Sequence, residues 1–135
     1  MKFLGAPYPI KKTALGLLPT QTGLDQVKAD LLILLMTNPG ERVMLPEYGT
    51  GLNSLLFQQN DEEIVEKARE MIVNAISIWE PRIVIKDIEV NIGSLSYSTD
   101  DMHHALHIKI DFFDQDKIQE VQELVLKVPL GANNE

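Results

Sequence analysis

The sequence predicts an α+β fold: a two-layer single domain in which two main helices pack on a three-stranded antiparallel sheet, with an extended N-terminal arm. The length of 135 residues suits one domain. Two segments carry apolar residues at helical spacing, and both precede three segments in which apolar and polar residues alternate. Helices followed by strands favour an α+β rather than an alternating α/β arrangement. We expect an arm over residues 1–22, the domain over 23–130 and a flexible tail over 131–135.

Composition limits the function classes. The chain is 44% hydrophobic and 24% charged, as in ordinary globular proteins, and its net charge is −8. Such a charge repels phosphate backbones and anionic lipid heads, so we expect no nucleic-acid or membrane partner. Without cysteine there is no disulfide, thiolate nucleophile or cysteine zinc site. The longest aliphatic run, residues 31–36, is far too short to span a bilayer.

The first elements are an arm and a helix. Three prolines and two glycines in residues 1–22 interrupt helix and strand periodicity, which predicts an extended arm. Thr22 is the expected cap of the first helix, with Asp25 placed as in a capping box. The apolar stripe of this helix is Leu24, Val27, Leu31, Leu34 and Leu35. The helix should end before Asn38.

A loop over residues 38–51 leads to a short helical turn and then to the second helix. Asp61 is the expected cap, and Glu63 and Lys67 are spaced to pair. Pro81 should end the helix at Glu80, because proline disfavours helical backbone in the preceding residue. The buried stripe is predicted to be Ile64, Ala68, Met71, Ile72, Ala75, Ile76 and Trp79.

Three strands follow. Ile83 and Ile85 share one parity and Ile88 and Val90 the other, which predicts a bulge near Lys86 and Asp87. The second strand should bury His104, Leu106, Ile108, Ile110 and Phe112. The last strand should contain Leu124, Leu126 and Val128, although Ile118, Val121 and Val125 also fit the start of a helix.

No motif for catalysis, cofactor or metal stands out. On a strand His103 and His107 would lie about 13 Å apart, too far for both to ligate one zinc ion. Residues 49–51 lack the lysine that a phosphate loop needs. Paired carboxylates are expected by chance among twenty acids, and the few aromatic residues offer little to stack on sugars. We therefore expect no catalytic residues, no metal and no cofactor.

Glu80, Pro81 and Arg82, which follow Trp79, allow two interpretations. In one, proline merely stops the helix and the charges are solvated. In the other, a short rigid turn displays an ion pair whose arginine binds a partner's carboxylate or carbonyl oxygens. If the pair is exposed, it should contribute only about 0 to 1 kcal/mol to folding.

Several motifs occur in one order: Leu34, Leu35, Met36 and Thr37; Pro39, Gly40, Glu41 and Arg42; Pro46, Glu47, Tyr48 and Gly49; Leu55, Leu56 and Phe57; Trp79, Glu80, Pro81, Arg82 and Ile83. With this series, residues 24–128 resemble the contractile-tail baseplate wedge family. That family includes the short wedge protein of myoviruses, formerly called a tail lysozyme, and the type VI secretion baseplate component TssE. The arm is less similar to it.

The resemblance implies a non-enzymatic structural subunit of a virion tail baseplate, assembled in the host cytoplasm and present in six copies. It implies docking through Glu80, Pro81 and Arg82 on the helical core bundle of larger wedge proteins, with a sheet that starts the first sheath ring. Sheath protein and tail tube or hub proteins are the other expected partners. It also implies a structural motif loop containing Pro39, Gly40, Glu41, Arg42, Pro46, Tyr48 and Gly49. A cell-wall hydrolase and a small regulatory adaptor of the same fold are the alternatives.

Overall fold

The computed structural model describes residues 4–57, 61–94 and 104–129. In chain order they form β1 (Leu4–Gly5), β2 (Gln21–Thr22), α1 (Leu24–Met36), a 3₁₀ helix (Leu52–Phe57), α2 (Asp61–Trp79), β3 (Ile83–Ser94), β4 (His104–Asp114) and β5 (Lys117–Pro129). β3, β4 and β5 form one antiparallel sheet in that order, and β1 pairs with β2 separately. The predicted α+β class is confirmed.

The core lies between the helices and one face of the sheet. α1 contacts α2 and β5, and α2 contacts β3 and the 3₁₀ helix. The central strand contributes four alternating side chains that are fully buried: Leu106, Ile108, Ile110 and Phe112. Complete burial of such a side chain stabilises the fold by about 1.5 to 3 kcal/mol.

α2 begins and ends where the sequence predicts. Ile64, Ala68, Ile72, Ala75 and Ile76 are buried, and the other predicted stripe residues, Met71 and Trp79, pack partly buried against the same core. The expected pair is also present, with Lys67 Nζ 2.6 Å from Glu63 Oε1. The periodicity of this segment therefore fixes both its length and its buried face.

α1 starts later than predicted. Its N-cap is Gly23, which makes no side-chain cap bond, and the expected cap Thr22 instead pairs with Leu4 in the β1–β2 element. Gly23 has a φ of 74°, which turns the chain sharply from β2 into the helix. The Thr22 capping box is therefore wrong, although the predicted end before Asn38 is confirmed.

The N-terminal arm contains no long element, as expected, but it doubles back. The pairing of β1 with β2 joins its two ends, so the arm closes into a surface loop rather than running straight away from the domain. Large apolar side chains of this loop remain exposed: Leu4, Ile10, Leu15, Leu17 and Leu18. The predicted tail, 131–135, lies outside the described residues.

The predicted bulge in β3 is present. Its register with β4 shifts between Ile85 and Asp87, so Lys86 is the extra residue. The insertion reverses the parity of the strand, and Ile83, Ile88 and Val90 consequently all face the core. The sheet could not bury both halves of β3 without it.

β5 is a strand along its whole length, which resolves the helix alternative. Leu124, Leu126 and Val128 are buried and Val121 and Val125 exposed, so one face is covered and the other is not. Among the described residues β5 pairs only with β4, which leaves its far edge open. None of the helices in the described ranges is long and apolar enough to cross a membrane.

Candidate partner-binding site

Glu80, Pro81 and Arg82, here called the charged turn, connect α2 to β3. The Glu80 amide donates to the carbonyl oxygen of Ile76 at 2.9 Å, so helical hydrogen bonding continues one residue beyond Trp79. Pro81 then stops the helix, and β3 starts at Ile83. The whole change of direction takes two residues, which leaves this backbone little freedom.

The ion pair in the charged turn is largely withdrawn from solvent. Glu80 is only 5% exposed, whereas the Arg82 side chain is 31% exposed. Both carboxylate oxygens of Glu80 accept bonds from Arg82, one from Nε and one from Nη2. The expectation of an exposed pair is therefore wrong. A buried carboxylate needs a paired cation, which Arg82 supplies bidentately.

Asp30 on α1 is a second carboxylate on the same guanidinium. Arg82 Nη2 donates to Asp30 Oδ2 at 2.8 Å, across 52 residues of sequence. Gln26, one helical turn earlier, donates from Nε2 to Asp30 Oδ1 at 2.8 Å. Hydrogen bonds to Glu80 and Asp30 raise the pKa of Arg82, against the opposing effect of burial, so the side chain remains a cation.

The turn between β4 and β5 holds the backbone of the charged turn. Gln115 donates from Nε2 to the Pro81 carbonyl oxygen at 2.8 Å, and from its amide to the Arg82 carbonyl oxygen at 3.4 Å. The charged turn is thus fixed from α1 through Asp30, from α2 through Glu80 and from the sheet through Gln115.

Residues 38–51, here called the motif loop, close back on the end of α1. The Thr50 amide donates to the Thr37 carbonyl oxygen at 3.0 Å, and the Thr50 hydroxyl donates to that of Leu35 at 2.9 Å. Within the loop, the Gly40 amide donates to the Pro46 carbonyl oxygen at 2.7 Å. The two bonds from Thr50 satisfy carbonyls that the helix end leaves without partners.

Two other predicted loop residues have structural explanations. Glu41 accepts from the Asn38 amide at 3.1 Å and from Asn38 Nδ2 at 2.7 Å, which pins the first corner of the loop. Gly49 has a φ of 128°, and a Cβ there would lie 2.4 Å from the Thr37 carbonyl oxygen. Only glycine fits this close approach.

The motif loop meets the end of α2, directly before the charged turn, through aromatic side chains. The Arg42 guanidinium lies 4.0 Å from the centroid of the Tyr48 ring. That ring packs edge-on against Trp79, with centroids 5.3 Å apart and planes at 65°. Burial, opposed by Arg42 and reinforced by Asp30 and Glu80, raises the pKa of Tyr48. The separate sequence motifs therefore form one continuous cluster.

Sequence reasoning missed three residues of this cluster: Gln26, Asp30 and Gln115. A weak signal existed for the first two, because they are polar residues four positions apart on one helix, a spacing at which side chains can pair. Nothing in the sequence distinguished Gln115, whose contact with Pro81 spans 34 residues.

The charged groups around Arg82 are paired with one another. The carboxylates of Glu80 and Asp30 are both hydrogen-bonded to Arg82. Within the described residues, no three His, Cys, Asp or Glu side chains group closely enough to hold a metal ion. His103, one of the histidines considered from the sequence, lies outside those residues.

The family model for baseplate wedge protein gp25 matches residues 21–115, which include α1, the motif loop, α2 and the charged turn. The chain belongs to the baseplate wedge protein gp25 family. It is accordingly a baseplate wedge component of contractile injection systems, and the family is structural. No curated protein matches the sequence.

Solved structures share the fold of this wedge protein. One chain of the anti-feeding prophage baseplate is 18% identical, with a TM-score of 0.63 over 98% of this chain and 90% of its own. A Geobacter sulfurreducens protein that carries the name tail lysozyme is 23% identical, with a TM-score of 0.65 over 84% and 97%. A chain of the type VI secretion baseplate complex is 15% identical, with a TM-score of 0.60 over 81% and 94%.

Proposed function

We propose that this subunit docks through the charged turn on the helical core bundle of larger baseplate wedge proteins, and that its sheet templates the first ring of tail sheath. The observation that carries the docking role is the fixed position of Arg82, which Glu80 and Asp30 hold before any partner arrives. A side chain that is already ordered loses less entropy on binding, so more of the contact energy appears as affinity.

The charges around Arg82 indicate what it binds. Glu80 and Asp30 already place two carboxylates on Arg82, so a further carboxylate from a partner would meet their repulsion. Neutral carbonyl oxygens are the better match. The last carbonyls of a helix lack internal partners, which makes a helix end in a bundle a suitable surface for the charged turn.

The open edge of β5 supports the templating role. An edge strand presents unpaired backbone groups to which another strand can be added. β5 is such an edge strand and is 13 residues long. A sheath strand added there would give the first ring its register. A six-copy arrangement agrees with the sixfold symmetry of the anti-feeding prophage baseplate, to which one neighbour belongs. Tube and hub proteins remain further candidate partners, in a virion or a related injection device.

Binding to the large wedge protein of the same tail tests the docking role. Arg82→Ala should weaken the complex by about 2 to 5 kcal/mol, since it truncates a desolvated, hydrogen-bonded charge. Arg69→Ala is the matched control, because Arg69 is exposed on α2 away from the cluster. Calorimetry on both variants decides the matter. Equal affinities for Arg82→Ala and the wild type would reject docking through the charged turn.

The hydrolase and adaptor alternatives make different predictions. A hydrolase would clear cell walls in a turbidity assay, whereas a structural subunit should not exceed the buffer control. Glu80 is poorly suited to be its acid, because it is buried and paired with Arg82. An adaptor would capture a response regulator rather than a tail protein in a pull-down.

A further inference from the structure

We infer that the N-terminal arm sets the orientation of Arg82, acting through Gly5, Gln26 and Asp30, and thereby tunes the affinity of the charged turn for its partner. The inference rests on the docking role proposed above. It adds three positioning residues that lie far from the charged turn in sequence, and it gives the arm a part in wedge binding.

The first link joins Gln26 to Asp30. Gln26 is 4% exposed, and its Nε2 donates to Asp30 Oδ1 at 2.8 Å. Its Oε1 atom is buried and has no hydrogen-bond partner. Burying an amide with an unsatisfied acceptor costs free energy. The bond to Asp30 is therefore the polar contact that this buried side chain retains. Loss of that bond would leave the amide nitrogen unsatisfied as well as the oxygen.

The second link joins Asp30 to Arg82. The two oxygens of one carboxylate are divided between neighbours: Oδ1 accepts from Gln26 and Oδ2 accepts from Arg82. Rotation of this carboxylate to follow Gln26 would move Oδ2 away from Arg82. Because Asp30 Oδ2 and Glu80 Oε2 bond the same nitrogen of Arg82, they jointly fix where the guanidinium lies.

The third link joins the arm to Gln26. Gly5 pairs with Gln21 in the β1–β2 element, which lays it directly over the Gln26 amide. A Cβ on Gly5 would lie 2.4 Å from Gln26 Nε2 and 2.5 Å from Gln26 Cδ. Gly5 is not among the glycines with positive φ, so a side chain there conflicts with the Gln26 amide and not with the backbone conformation. Gly5→Ala should therefore displace the amide that holds Asp30.

A merely structural role for these residues gives a different outcome in a double-mutant cycle. If Gly5, Gln26 and Asp30 act through Arg82, their substitution cannot weaken binding once Arg82 is gone. If they only support the fold, their effects on binding should persist in the Arg82→Ala background. The cycle therefore separates positioning from general stability.

The experiment measures affinity of full-length variants for the large wedge protein of the same tail. Asp30→Asn should weaken binding roughly 5- to 30-fold, and Gly5→Ala roughly 3- to 10-fold. Asp30→Glu, which keeps the charge, should bind more tightly than Asp30→Asn. Ala6→Ser is the control for the arm, because Ala6 is exposed next to Gly5. Melting curves identify any variant that fails to fold, and Asp30→Asn tests the relay independently of Gly5→Ala.

The outcomes distinguish this inference from the docking role on which it rests. Wild-type affinity in Arg82→Ala would reject the docking role itself. Lost affinity in Arg82→Ala with wild-type affinity in both Asp30→Asn and Gly5→Ala would reject the relay alone. Losses that persist undiminished in the Arg82→Ala background would also overturn the relay. Losses that disappear in that background are the result expected.

Discussion

The charged turn and the outer edge of β5 are opposite kinds of surface on one small domain. In the charged turn Glu80 is buried, Arg82 bonds two carboxylates, and Gln115 holds the backbone. On β5, by contrast, Val121 and Val125 are exposed and no described strand covers the far edge.

Under the proposed function, this difference implies two modes of recognition. A fixed arrangement of side chains selects a partner by the geometry of its hydrogen bonds, and little ordering remains to be done on binding. An open strand edge recognises backbone, which any extended segment can provide. We therefore expect the charged turn to determine which protein is bound and β5 to determine where the next strand is added.

Proline at Val125 should give the largest effect, because it alters the strand that carries the open edge. Val125→Pro removes a backbone donor from β5, and we expect sheath rings to fail to nucleate on it. Val125→Thr keeps the donor and is the matched control. Circular dichroism must accompany the assay, since proline can also disrupt the β4–β5 ladder. Normal nucleation on a folded Val125→Pro protein would count against the edge.

Removing Arg82 and removing Glu80 from the charged turn should lower the free energy of unfolding by different amounts. Arg82→Ala leaves the buried Glu80 carboxylate without its bidentate cation, which should cost roughly 1 to 3 kcal/mol of folding free energy. Glu80→Ala should cost less, because the partly exposed Arg82 keeps Asp30 and water. The double variant should be more stable than Arg82→Ala alone.

Thermal or urea unfolding of the three variants measures this order. If Arg82→Ala proved the most stable of the three variants, the pair of Glu80 and Arg82 would be behaving as a solvated surface contact. The predicted difference in cost between losing Arg82 and losing Glu80 would then be absent. The contrast between a buried turn and an exposed edge would fail with it.

Tyr48 provides the smallest and most local test. Burial, aided by Asp30 and Glu80, raises its pKa above the ordinary 10.0. Because the folded state favours the neutral phenol, this contribution to stability is complete below the ordinary pKa and is lost as pH rises through the raised one. Ultraviolet titration of the wild type minus Tyr48→Phe isolates the group. Titration at or below its ordinary value would show that the cluster is open to water.

Local patterns were enough to predict most of the fold. The sequence of α2 has a residue type suited to capping, a continuous apolar stripe and a terminating proline, so the bounds of the helix and its buried face followed from sequence. The bulge near Lys86 followed from a change of parity. The start of α1 could not be predicted in this way. Its cap depends on whether Thr22 pairs with Leu4, and helical spacing cannot reveal that contact.

The candidate site was only half predictable. Glu80, Pro81 and Arg82 are adjacent, so their motif is visible in the sequence, but their burial is not. Burial depends on tertiary packing, and the contacts of the turn with Asp30 and Gln115 likewise form only after α1 and the sheet have packed. Charged residues are usually solvated, and that general tendency produced the wrong expectation for Glu80.

Amide hydrogen exchange on the isolated subunit and on the subunit assembled with wedge and sheath proteins tests the contrast most directly. We expect the outer amides of β5, and those of the arm between β1 and β2, to exchange readily in the isolated protein and to become protected on assembly. The Glu80 amide, already bonded to Ile76, should be protected in both states. Unchanged exchange along β5 on assembly, with new protection confined to the charged turn, would contradict it.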